Sequence, residues 1–88
     1  MSEWDEAKRL ANLAKHKLDF ADADVLFDGR SVLTRAARYE GEERFMTIGL
    51  VHAQLCTLIW TWRDDRRRCI SFRSARDEEK RQYRQLHQ

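Results

Sequence analysis

Proline is missing from this 88-residue chain and glycine occurs only three times. Flexible linkers and low-complexity tails need far more of both, so the chain reads as packed. No apolar run reaches the roughly 20 residues that span a bilayer, and the opening Met1-Ser2-Glu3-Trp4-Asp5 is acidic where a secretory signal would be basic and then apolar. A cytoplasmic protein without membrane contact is expected. Cys56 and Cys69 are the only cysteines, too few for a disulfide framework, and they read as small buried side chains. There is no glycine-rich phosphate loop, Cys-x-x-Cys, His-Glu-x-x-His or Gly-x-Ser-x-Gly, so no metal or cofactor is expected. His16, His52 and His87 stand in separate segments.

What is present is 42% hydrophobic and 36% charged, enough for one domain over residues 1–88 and too little for two. The net charge of +2 conceals an asymmetry: residues 1–28 hold seven acids and four bases, whereas residues 63–88 hold nine bases against five acids. Eight of those nine are arginine, whose planar fork suits phosphate and carboxylate. The basic end is either an anion-binding surface or a solvated one.

Trp4, Ala7, Leu10, Ala11, Ala14 and Leu18 recur at spacings of three and four. This predicts a helix burying that stripe, with Asp5, Lys8, Asn12, Lys15 and His16 outside. A second helix is expected after Asp19, an N-cap with Asp22 at N3; Phe20, Ala23 and Phe27 would face inward and Gly29 would end it. Beyond Gly29 the period changes to two. Residues 31–39, 44–51, 55–63 and 68–73 read as a four-stranded antiparallel meander, with Glu40-Gly41-Glu42-Glu43 and Asp64-Asp65 in turns. Met46, Ile48 and Leu50 share a face, and Ile70 and Phe72 point inward. The third strand is apolar on both faces, as a central strand with partial cover on its second face would be. Pairing Arg63 near Arg66 or Arg68 sets Cys69 opposite Trp60 or Trp62, away from Cys56. Ser74-Ala75-Arg76-Asp77 matches a capping box opening a C-terminal helix. That helix has only Ala75, Tyr83 and Leu86 to bury, so its attachment is weak or is completed by a partner. The fold class is therefore α+β: two N-terminal helices, the meander and a C-terminal helix.

Arginine cannot serve as a base at neutral pH, but it can hold a phosphate and stabilise charge building on it. His16, beside Lys8, Asn12 and Lys15, is the residue best placed to exchange protons near pH 7. Trp60 and Trp62 read as core or interface anchors, with base stacking as the alternative.

Trp4-Asp5 followed by Lys8, Asn12, Lys15-His16, Phe20 and Ala23, then Gly41-Glu42-Glu43-Arg44 with Ile48-Gly49, then Arg68, Ile70-Ser71, Arg73, Ala75, Glu79 and Tyr83, resembles the BrnT family of bacterial toxins. The resemblance implies a RelE-like fold and a metal-independent ribonuclease that arrests translation. It also implies neutralisation by a BrnA-type ribbon-helix-helix antitoxin, through which the complex reaches operator DNA and represses its own promoter. By the same resemblance Lys15, His16, Arg44, Arg63 and Arg73 are candidate catalytic residues, and Lys8, Asn12, Arg68, Glu79 and Tyr83 candidate RNA- or antitoxin-binding residues. Two positions depart from the family: Lys17 stands where glycine is usual, and Trp62 where an acid is expected. Three functions stay open: a ribonuclease acting on free or ribosome-bound RNA, a non-catalytic antitoxin-binding co-repressor, and a toxin acting on a protein target such as gyrase.

Overall fold

Two residues near the start of the chain account for the main departure from the expected architecture. In the computed structural model, which describes residues 2–87, Ser2–Glu3 (β1) pairs in parallel with Arg66–Ser74 (β5). The sheet therefore has five strands and mixed pairing; it is not a four-stranded antiparallel meander. Its order is β1-β5-β4-β3-β2, with Val32–Tyr39 as β2, Glu42–Val51 as β3 and Gln54–Arg63 as β4. A two-residue strand is too short to show a period, which is why the pattern of the sequence does not reveal it.

Two-residue turns join the antiparallel strands. Glu40 and Gly41 both have positive φ (51° and 80°), as do His52 and Ala53 (52° and 64°), the backbone of the type I′ turn that matches strand twist. Glu42 and Glu43 consequently belong to β3 and not to the turn. Cys69 lies opposite Trp60 and Arg63 opposite Arg66, within the expected register. Both cysteines are free and buried.

One face of the sheet carries the core. Val51, Cys56, Leu58, Trp60, Cys69 and Phe72 pack there against Phe20, Ala23 and Leu26. Those last three lie on a 3-10 helix, Phe20–Phe27, which stands where an α-helix was expected. A spacing of three puts all three in one line only when there are three residues per turn, and the Asp19 cap, donated to by the Ala21 N–H, and Gly29 at φ 100° bound the segment as expected. Leu26 comes so close to β3 that a Cβ on Gly49 would lie 2.7 Å from its Cδ2. Phe27 is partly buried and meets the Trp60 ring edge-on.

A register shift between Ile59 and Trp60 leaves Ile70 without a partner, since Ile59 pairs with Ser71 and Trp60 with Cys69. This β-bulge moves Cys69 onto the face of Phe72 and turns Ile70 out of the core, against the expectation from strict alternation. Met46, Ile48 and Leu50 do share a face, but it is the second one; Ile48 is buried there and Leu50 is exposed.

The first helix, Glu6–His16 (α1), is the other correction. Ala7, Leu10, Ala11 and Ala14 face solvent, and Asn12, expected outside, is buried. Alanines gain little from burial, whereas the outer edge of β5 has backbone groups that need polar partners. The last helix, Asp77–Leu86 (α2), starts later than the Ser74 capping box implied: Arg76 is its N-cap, and the Arg76 N–H donates to Glu79 at N3. No helix among the described residues is long and apolar enough to cross a membrane.

Candidate functional site

Asn12 decides how α1 sits. Its amide nitrogen donates to the carbonyls of Phe72 (2.8 Å) and Leu18 (3.0 Å), and its oxygen accepts from the Phe72 N–H (3.0 Å). The side chain thus satisfies the edge of β5 at Phe72, beyond Arg68, where β1 stops pairing. Asp5 caps the start of α1 by accepting from the Ala7 N–H, and Arg9 spans Glu6 and Asp19. Lys17 ends α1 in the left-handed region at φ 60°, its N–H donating to Leu13 O at 2.9 Å. The expectation of a glycine at this position has its physical reason in that geometry: only glycine takes a positive φ without steric cost.

With Asn12 fixed, residues four before and four after it point the same way. Lys8, Asn12, Lys15 and His16 line a shallow cleft of ≈ 300 Å³ together with Ile70 and Ser71 of β5. Partial burial, the Lys15 ammonium and the Arg73 guanidinium all lower the pKa of His16 from its ordinary 6.5. The imidazole is therefore neutral at pH 7 and able to accept a proton. Ser71 carries part of the family pattern in the sequence but is not among the candidate site residues read from it; alternation with the inward Phe72 sets its side, and its place in the cleft depends on how α1 docks on β5.

Arg73 borders this cleft but its guanidinium is already engaged. It holds Glu79 in a two-pronged pair at 2.8 and 2.9 Å. Glu79 also accepts from the Thr57 hydroxyl at 2.8 Å. The paired guanidinium, followed by the Arg76 N–H and the Thr57 hydroxyl, holds this buried carboxyl at a pKa of about 2 against the cost of burial. This polar cluster, with the Tyr83 hydroxyl donating to Ser31 O and His87 against Val32 O, attaches α2 to the body. Leu86, expected to be buried, is 58% exposed. The helix with little to bury is held by a charge pair.

The remaining candidates lie apart. Arg44 faces Glu42 at 3.3 Å and stacks on the Tyr39 ring at 4.5 Å. Arg68 faces Glu3 at 3.5 Å and so helps tie β1 to β5. Arg63 is exposed at the β4–β5 turn, while Arg73 pairs with Thr57 six residues away along β4. The two strand ends are roughly 20 Å apart at the usual rise per residue. Arg63 and Arg73 therefore do not converge on one phosphate. Trp60 is core, its indole N–H donating to Thr47 at 2.9 Å; Trp62 is 50% exposed and meets Trp60 edge-on. Among the described residues no group of three His, Cys, Asp or Glu side chains converges as metal ligands do.

The chain is thus an α+β domain with a cleft lined by Lys8, Lys15 and His16 between its first helix and a sheet edge. The family model described as "Ribonuclease toxin, BrnT, of type II toxin-antitoxin system" matches residues 4–79, and the chain belongs to that family. No curated protein matches it.

Proposed function

We propose that this chain is the toxin of a type II toxin-antitoxin system, a cytoplasmic endoribonuclease whose chemistry is carried by the cleft between α1 and β5. The observation that carries this reading is the meeting of Lys8, Lys15 and a neutral His16 beside Ser71. In the proposed reaction the ribose 2′-hydroxyl attacks the adjacent phosphorus, His16 accepts its proton, and the 5′-oxygen departs with a proton from Lys15, leaving a 2′,3′-cyclic phosphate. Lys8 and Lys15 hold the phosphate, and Arg73, still cationic in its pair with Glu79, adds positive potential. Arrest of translation, neutralisation by a BrnA-type ribbon-helix-helix antitoxin and repression of the promoter by the complex belong to the same reading and rest on family membership. The test is cleavage of RNA by the purified chain, free of antitoxin, with and without ribosomes. RNA left intact in both assays removes the enzyme from the reading.

A second reading, a non-catalytic module that binds the antitoxin and acts as co-repressor, is favoured by the pairing of Arg73 with Glu79 and of Arg44 with Glu42. These arginines would then serve structure. Expression without the antitoxin separates the two, because a co-repressor alone does not stop growth.

A further inference from the structure

β2 is the last strand of the sheet. From Thr34 to Tyr39 every residue on it is exposed, and its register with β3 runs without a bulge. Edge strands are ordinarily blunted by a proline, a bulge or a covering element, since they present free N–H and C=O groups to any other strand. Among the described residues only the Val32 end is touched, by His87. The turn at Glu40–Gly41 makes Tyr39 and Glu42 the closing hydrogen-bonded pair. Alternation along the ladder then turns the backbone of Thr34, Ala36 and Arg38 outward.

The sheet face beside this edge is shaped and charged. Ala37, Tyr39, Met46 and Ile59 line an apolar hollow of ≈ 270 Å³ with Arg35 and Arg44. Among the described residues Arg35 has no carboxylate within 4 Å, and Arg44 has only Glu42. We propose that the open edge of β2 receives an extended, acidic segment of a protein partner as an added strand, with carboxylates of that segment meeting Arg35 and Arg44. Main-chain hydrogen bonds would supply register and the arginines selectivity. A second copy of this chain fits poorly, because antiparallel pairing of two β2 strands brings Arg35 and Arg38 of both copies onto one seam. RNA fits poorly too, since the outward N–H and C=O groups alternate along the edge and phosphate oxygens, which only accept, leave the carbonyls without donors. The inference builds on the reading above only in that an antitoxin would be such a partner; it stands if the chain cleaves no RNA.

The probe is a synthetic acetylated peptide as long as β2 that alternates glutamate and valine, titrated into the full chain while amide hydrogen exchange is followed by NMR. Saturable binding is expected, with slowed exchange at Thr34, Ala36 and Arg38. Ala36→Pro, which removes one outward donor at a site where an edge strand tolerates proline, weakens binding about tenfold. Arg35→Glu weakens it at low salt by a similar factor. A peptide N-methylated at alternate residues must lose binding to the unaltered protein, which covers a failure of the proline variant to fold. RNA cleavage by Ala36→Pro stays unchanged, so peptide binding and catalysis are read separately. Binding without protection of β2, equal binding of a lysine-valine peptide, or a dimer that protects the same amides without peptide overturns the proposal.

Discussion

The side chain of Asn12 brackets the backbone of Phe72, donating to its carbonyl at 2.8 Å and accepting from its N–H at 3.0 Å. Sixty residues apart in the chain, the two groups complete the outer edge of β5 and aim Lys8 and His16 at the cleft. Asn12→Leu leaves the Phe72 N–H and two carbonyls buried without partners and destabilises the fold by about 3 kcal/mol. Urea denaturation measures this. An unchanged midpoint means that water takes over the bracket.

Glu79 makes stability depend on acid. Its carboxyl is held at about 2 in the folded chain against an ordinary 4.5. A depressed carboxylate contributes stability that is present above pH 4.5 and lost as pH falls toward 2; its size is on the order of 3 kcal/mol. Glu79→Gln removes this dependence and frees Arg73, and the variant's stability profile should be flat over that range. A profile still as steep as that of the native chain assigns the acid sensitivity to other carboxylates.

His16 gives the cleft its pH response. A base must be neutral to accept a proton, so in the proposed reaction RNA cleavage is expected to rise with pH through the pKa of His16, which burial, Lys15 and Arg73 hold below 6.5. His16→Ala lowers the rate by about a hundredfold. Lys15→Met, besides slowing cleavage, moves the acidic limb of the rate profile to higher pH because one repelling charge is gone. A limb that stays in place separates His16 from the titration.

Lys17 sits at φ 60°, where a side chain costs roughly 1 kcal/mol relative to glycine. Lys17→Gly therefore raises the free energy of unfolding by about that amount and leaves the cleft intact. Thermal denaturation checks it, and a lowered midpoint shows that the lysine makes a compensating contact, as its ammonium does with Ala14 O at 3.1 Å.

Much of the architecture was legible because it rests on local rules. The change from a helical to a twofold period at Gly29, the turn residues between strands and the cap at Asp19 placed the elements, and the β4–β5 register narrowed the partner of Cys69 to Trp60 or Trp62, of which the fold takes Trp60. The orientation of α1 was not legible. Within the helix its apolar stripe is three alanines and one leucine, a weak signal, and three hydrogen bonds between Asn12 and the backbone of Leu18 and Phe72 outweigh it.

The candidate site divides in the same way. The residue types, their charge and the family were written in the chain, since they need no neighbours to be read. Which of them meet was a matter of tertiary structure. Antiparallel strands carry Arg63 and Arg73 to opposite ends, the docking of α1 on β5 sets His16 beside Ser71, and a helix folding back places Glu79 on Arg73. Proximity between residues far apart in sequence depends on register and on partners for buried polar groups. Neither leaves a periodic trace in the amino-acid order.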